Sequence, residues 1–206
     1  MNTDLLSLTQ WLSPAFPLGS FAYSHGLETA INGGQIQDAE SLYDWLRAVL
    51  ARGSGWTDAV ILSATLDGED VAQLCRALAA SKERLEETEA QGAAFSDTQK
   101  AMGRDVPAGP LPVAVGVAAR TLNLNKEIII SVYLQSFMSN LVQVAVRFVP
   151  LGQSAGQGVL QRLNSDIETV AACAASASKD DANSGAFVSD ISSMRHESQS
   201  ARMFQS

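Results

Sequence analysis

Apolar residues recur along this chain at three- and four-residue spacing, the period of helices that bury one face. Leu42, Trp45, Leu46, Val49 and Leu50 fit that stripe closely and place a helix from near Asp38 to the stop at Gly53 and Gly55. Ahead of it, Thr3 or Asp4 caps a helix to Trp11, with Leu5, Leu8 and Leu12 on one face. Pro14 and Pro17 break that helix, Gly19 is free to take positive φ, and a second helix runs from Phe21 to Ile31. Helices at about Thr57–Leu66 and Glu69–Ala80 come next. Lys82 to Met102, the most charged stretch, predicts a solvated helix or two, interrupted near Gly92. Pro107, Gly109, Pro110 and Pro112 mark a loop, followed by helices over Val113–Leu122, Lys126–Val149 and Gln153–Ser178. The middle one carries two adjoining stripes. Ile129, Tyr133, Phe137, Leu141, Val144 and Phe148 form the first, and Ile130, Leu134, Met138, Val142 and Ala145 the second. A helix of that kind is deeply buried or lies in a subunit interface.

No alternating strand pattern with a hairpin turn is present. The predicted class is all-α: one helical bundle over residues 1–178, then a linker and flexible C-terminal tail over 179–206. Phe187 to Ser206 has scattered apolar residues and no clean stripe, so it is expected to be disordered or loosely docked in the chain alone.

Composition narrows the function classes. The 206 residues are 46% apolar and only 17% charged, with a formal net charge of −8. A core is affordable, and the low charge suggests a surface partly covered by partner chains. Phosphate-driven nucleic-acid binding and polybasic membrane anchoring both need a basic footprint that is missing. The first basic residue is Arg47, so the positive n-region of a secretory signal is absent. Ile128–Val149 is interrupted by Ser131, Gln135, Ser136, Ser139, Asn140, Gln143 and Arg147, too polar for a membrane span. Cys75 and Cys173 stand far apart, which favours a reducing compartment. Together these predict a soluble, cytoplasmic protein.

Catalytic patterns are thin. Two histidines, His25 and His196, and two cysteines lack zinc-ligand spacing; weak capture of a soft divalent ion by His25, His196 or Cys173 stays open. Ser24 and His25 are neighbours whose side chains diverge on a helix, which argues against a nucleophile–base pair. Gly152, Gly156 and Gly158 precede Val159-Leu160 rather than a Lys-Ser/Thr pair, so close helix packing is preferred to a phosphate loop. Glu83, Glu86, Glu87 and Glu89 read as a solvated face. Interaction therefore leads, with an enzyme built on Ser24, His25 and Glu28, or a generic helical adaptor, as alternatives.

Two blocks are over-specified for packing: Pro14 to Glu28, ending Ser24-His25-Gly26-Leu27-Glu28, and Ser189 to Glu197, running on to Arg202-Met203-Phe204. With Tyr133-Leu134-Gln135-Ser136, Arg147-Phe148-Val149-Pro150-Leu151-Gly152-Gln153, and more weakly Leu111 to Gly116, they resemble the urease accessory protein UreF family, block for block in order. Gly68 to Pro107 carries little of the likeness. The resemblance implies an all-helical, cytoplasmic, non-catalytic assembly factor. It would act as a homodimer bridging UreD (also called UreH) and the GTPase UreG to deliver nickel to apo-urease, with no tightly bound cofactor of its own. It also raises a regulatory role in the UreG GTPase cycle, though Arg147 is as well placed to cap helix carbonyls. The partner-binding residues it suggests are Pro17, Gly19, Ser24, His25, Glu28, Arg147, Gln153, Asp190, Met194, Arg195, His196, Glu197, Arg202 and Phe204. Met194, Met203 and Phe204 would bury in a groove of UreD, while Arg195, Glu197 and Arg202 fix register.

Overall fold

The computed structural model describes residues 2–205; Met1 and Ser206, the outermost residues of the two expected units, lie outside them. Among the described residues there are ten α-helices and no strand. They are α1 (Asn2–Trp11), α2 (Leu27–Asn32), α3 (Ala39–Arg52), α4 (Ser54–Leu66), α5 (Ala72–Ala77), α6 (Lys82–Ala101), α7 (Leu111–Ala119), α8 (Lys126–Phe148), α9 (Gly152–Ser176) and α10 (Phe187–His196). Single turns of 3₁₀ helix sit at Ser20–Ala22 and Lys179–Asp181. The all-α class follows.

Helix α8 is the axis. Both of its predicted stripes are used inside the chain: Ile129, Tyr133, Leu141 and Val144 are buried on one, Ile130, Leu134, Met138, Val142 and Ala145 on the other. It is long and apolar enough to cross a membrane, but half of its most apolar window is buried in the bundle. Helix α9 folds back along it. At the crossing a Cβ on Gly156 would stand 2.6 Å from Val146 Cγ2, so the glycine sets the separation, as expected of the small-residue cluster. Helix α3 packs on α4 and α9, and α4 packs on α7, α8 and α9. The α3 start is a capping box: the Asp38 carboxylate accepts from Ser41 N–H, and Ser41 Oγ reaches back to Asp38 N–H.

Several elements differ from the periodicity reading. Helix α1 buries Leu8, Trp11 and Leu12, while Leu5 is 40% exposed. The helix expected over Phe21–Ile31 starts only at Leu27, because His25 and Gly26 are left-handed, with φ of +53° and +75°. Helix α5 covers only Ala72–Ala77 of the expected Glu69–Ala80.

The largest departure is α6. It is one unbroken helix, and it is not solvated on all sides. Glu83, Arg84, Glu87, Thr88, Gln91, Gly92, Phe95, Ser96 and Gln99 are buried. Gly92 does not interrupt it. A Cβ there would collide with the Gly109 carbonyl oxygen, so glycine lets the loop before α7 lie on the helix. Phe95 anchors the N-terminal segment, with Trp11 edge-on at 6.2 Å and Phe16 at 5.7 Å.

The segment after Lys179 is more ordered than its composition suggests. Trp56 Nε1–H donates to the Asp181 carbonyl at 2.9 Å, Thr57 Oγ1 to the Asn183 carbonyl at 3.2 Å, and Gly185 N–H to the Arg52 carbonyl at 2.6 Å. Helix α10 then packs against α2 and α6. Its inner face is Ser189, Ser192, Ser193 and His196, and its outer face is Phe187, Val188, Ile191 and Met194. An apolar stripe that points outward is why no core-facing helix was readable. The serines face inward because the approach is too close for larger side chains. A Cβ on Gly26 would lie 2.5 Å from Ser193 N and 3.0 Å from the Ser189 carbonyl oxygen.

Candidate functional site

Two buried polar clusters on α6 organise the residues singled out from sequence. In the first, Arg84 Nη2 donates to Asp58 Oδ2 at 2.7 Å, and Tyr133 OH donates to the same oxygen at 2.8 Å. One turn along, Glu87 Oε1 accepts from His25 Nε2–H at 2.9 Å and from Gln91 Nε2–H at 2.8 Å. The left-handed backbone at His25 turns its ring toward α6 and against Phe137, 4.8 Å away and edge-on. Four elements of distant sequence therefore meet through charge and hydrogen bonds. Such groups remain buried only because each has a partner.

Burial alone would raise the Glu87 carboxyl, but His25 and Arg84 beside it bring it below its ordinary 4.5. A depressed carboxylate contributes stability that is present above the unfolded value and lost as pH falls through the folded one. The expected result is a stability that declines once pH drops below about 4.5. Chemical denaturation at stepped pH measures it, and Glu87→Gln should flatten that decline; an equal slope in the variant would place the effect elsewhere. Burial and then the Asp58 charge push the Tyr133 hydroxyl well above 10. Burial and then Asp58 also lift the Cys75 thiol to about 12, which leaves it inert.

The second cluster fastens the C-terminal segment. His196 is fully buried, with Nδ1 2.8 Å from Glu83 Oε2 and Nε2 3.1 Å from Glu28 Oε2. Both nitrogens face carboxylates, and both donate only as imidazolium. Arg202 Nη1 donates to Glu83 Oε1 at 2.7 Å, which balances two acids with two cations. Glu28 also accepts the backbone N–H groups of Met203 at 2.9 Å and Phe204 at 3.1 Å. Phe204 is buried against Phe148, ring centres 5.3 Å apart. Around this lock, Glu197 Oε1 accepts Lys82 N–H at the start of α6, and Ser193 Oγ lies 2.7 Å from the α6 cap, Ser81 Oγ.

The residues proposed as one contact surface thus divide. Ser24, His25, Glu28, His196 and Phe204 are buried and hold the chain's own ends together, which corrects their placement on a surface. Ser24, His25 and Glu28 face different partners, so they form no catalytic set. Pro17, Arg147, Gln153, Met194, Arg195, Glu197 and Arg202 are exposed, and Gly19 and Asp190 are half-buried. Asp190 accepts from Ser184 Oγ at 2.6 Å in the first turn of α10. The sequence reading missed Asp58, Glu83, Arg84, Glu87 and Tyr133 as site residues. The available signal was the polar stripe at helical spacing on α6, running from Glu83 past Glu87 and Gln91 to Gln99 around the large apolar Phe95.

Two surface features lie on this frame. Beside α10, Phe187, Val188, Ile191, Met194 and Met203 are 71%, 59%, 46%, 51% and 70% exposed, an apolar ridge on an otherwise polar end. Between α8 and the Pro14–Ala22 segment, a cavity of about 510 Å³ opens over the first polar cluster, with Arg147 at its rim.

The family model described as UreF matches residues 36–164. The urease accessory protein UreF of Cereibacter sphaeroides is 53% identical over 209 aligned residues, spanning 100% of both chains. The chain belongs to the UreF family. Other UreF relatives include that of Jannaschia, 46% identical over 98% of this chain and 94% of its own, and UreF 1 of Brucella canis, 40% identical over 100% and 95%. Membership gives the chain a urease accessory role, in partnership with other urease accessory proteins. The two terminal blocks that carry the UreF resemblance lie outside the matched 36–164, and in the structure they are the two halves of the Glu28–His196 lock.

Proposed function

We propose that this UreF-family protein is a non-catalytic maturation factor. It bridges UreD/UreH and the GTPase UreG in the cytoplasm so that nickel, handled by the complex as cargo, reaches apo-urease. The reading also includes a homodimer. One observation carries it: the outward apolar stripe of α10, continued by Met203, on an element that the chain locks in place through buried polar bonds. A free protein does not gain stability by exposing Phe187, Val188, Ile191 and Met194, so this face suits a partner whose groove takes apolar side chains. Exposed Arg195 and Glu197 flank it and suit charge-assisted contacts at the rim. The family's accessory role supports the same reading.

Co-expression with tagged UreD and UreG tests it. The full chain should capture UreD. Ile191→Asp with Met194→Asp should lower that capture at least tenfold while the thermal midpoint stays within about 3 °C, because both side chains are surface-exposed. UreG should join only through the pre-formed pair. Unchanged capture by the double variant would remove α10 as the docking element. No capture by the unmodified chain would overturn the bridging reading in favour of a generic helical adaptor.

A further inference from the structure

The cavity over the first cluster has an unpaired acceptor at its floor. Glu87 is 2% exposed, and its Oε1 is fully used by His25 and Gln91. Its Oε2 is buried with no hydrogen-bond partner. Arg84 Nη1 is 3.5 Å away, ion-paired but outside hydrogen-bond geometry. The other donors at the floor are committed, since Arg84 Nη2 and Tyr133 OH both serve Asp58 Oδ2. What the floor lacks is therefore a donor, and the charge left to satisfy is negative. The walls are largely apolar, formed by Leu12, Phe16, Leu18 and Phe137, with Asn140 and Arg147 toward the rim. A volume of about 510 Å³ is that of a small-molecule site.

We propose that this cavity binds a guanidinium or ammonium group carried on an apolar stem, with its N–H groups on Glu87 Oε2 and its stem along Phe16 and Phe137. An anion is disfavoured, because the buried cation Arg84 is already neutralised by two carboxylates. Two sources share this chemistry: a free organic cation, or the end of a basic side chain inserted by a partner protein.

Agmatine is the probe, with 1-butanol as the neutral control. Each is titrated into the full chain by calorimetry and by amide NMR. Agmatine should bind at least tenfold more tightly than butanol and shift the Gln91 side-chain amide signals. Ser139→Trp, a half-buried α8 position lining the cavity, should fill it and weaken agmatine at least tenfold at unchanged melting temperature. Glu87→Gln should do the same by removing the charge. Agmatine binding no tighter than butanol, or equal in a folded Ser139→Trp variant, would overturn the proposal and leave a cavity that holds only solvent. The source is separated by capture of UreD and UreG. A tenfold loss in Ser139→Trp assigns the site to a partner's basic side chain, and intact capture assigns it to a free cation. This last arm alone rests on the bridging reading. An unmodified chain that captures neither partner fails that reading and leaves the agmatine result standing.

Discussion

Replacing Asp58 with alanine should destabilise the protein by about 3–5 kcal/mol, the cost of breaking a buried ion pair from one side. Asp58 is 4% exposed, and one of its oxygens accepts from both Arg84 and Tyr133. Its removal leaves Arg84, 9% exposed, with Glu87 as its remaining countercharge at 3.5 Å. It also leaves the Tyr133 hydroxyl facing the space that opens. At this chain length each kcal/mol shifts the midpoint by about 2–4 °C, so a fall of roughly 6–20 °C is expected in thermal unfolding followed by circular dichroism. Tyr133→Phe is the matched control. It removes one neutral donor and should cost about 1 kcal/mol. A midpoint within 2 °C of the unmodified protein for Asp58→Ala would mean that the Arg84 charge finds water, and that the cluster does not hold α4, α6 and α8 together.

Removing the Glu28 carboxylate should act locally. Glu28→Ala takes away the acceptor of the Met203 and Phe204 amides and one of the two carboxylates on His196. The C-terminal segment also rests on the Arg202–Glu83 pair, the Phe204 contact and the Gln205 N–H bond to the Ala22 carbonyl. Global unfolding is therefore not the expected outcome. Loss of about 2 kcal/mol in docking raises the local opening constant roughly 30-fold. Hydrogen exchange should show that loss of protection at Met203 and Phe204 and at the α10 amides, with the α8 core unaffected. Glu28→Gln should fall between, since a neutral amide oxygen still accepts one backbone N–H. Uniform loss across the bundle would show that the segment is part of the cooperative core rather than fastened onto it. Under the bridging reading the same variant should weaken UreD capture, because the apolar stripe would be presented on a loosened helix.

These expectations separate what is readable in the chain from what is not. Leu42, Leu46, Val49 and Leu50 were readable as a helix face because their spacing is a local property, and all four are buried. The limits of α8 and α9 were readable because Asn125, Pro150 and Gly152 punctuate them. His25 was misplaced on a helix because its positive φ is rare for a residue with a side chain, and only its contacts with Glu87 and Phe137 explain it. The serine face of α10 was missed because small polar residues carry no signal of burial. They are inside because Gly26 admits the helix backbone itself.

By itself, the sequence determined the all-α class, most of the long helices, the shortage of catalytic pairs and, through its terminal blocks, the UreF likeness. Those are matters of residue type, local period and order along the chain. The tertiary structure decided which charges are inside. A glutamate on a polar helix is solvated by default, and Glu83 and Glu87 are buried because His196, Arg202 and His25 reach them from more than 60 residues away. It also decided that the two terminal blocks are halves of one lock, since the energy of a buried charge depends on a partner that no local pattern can name.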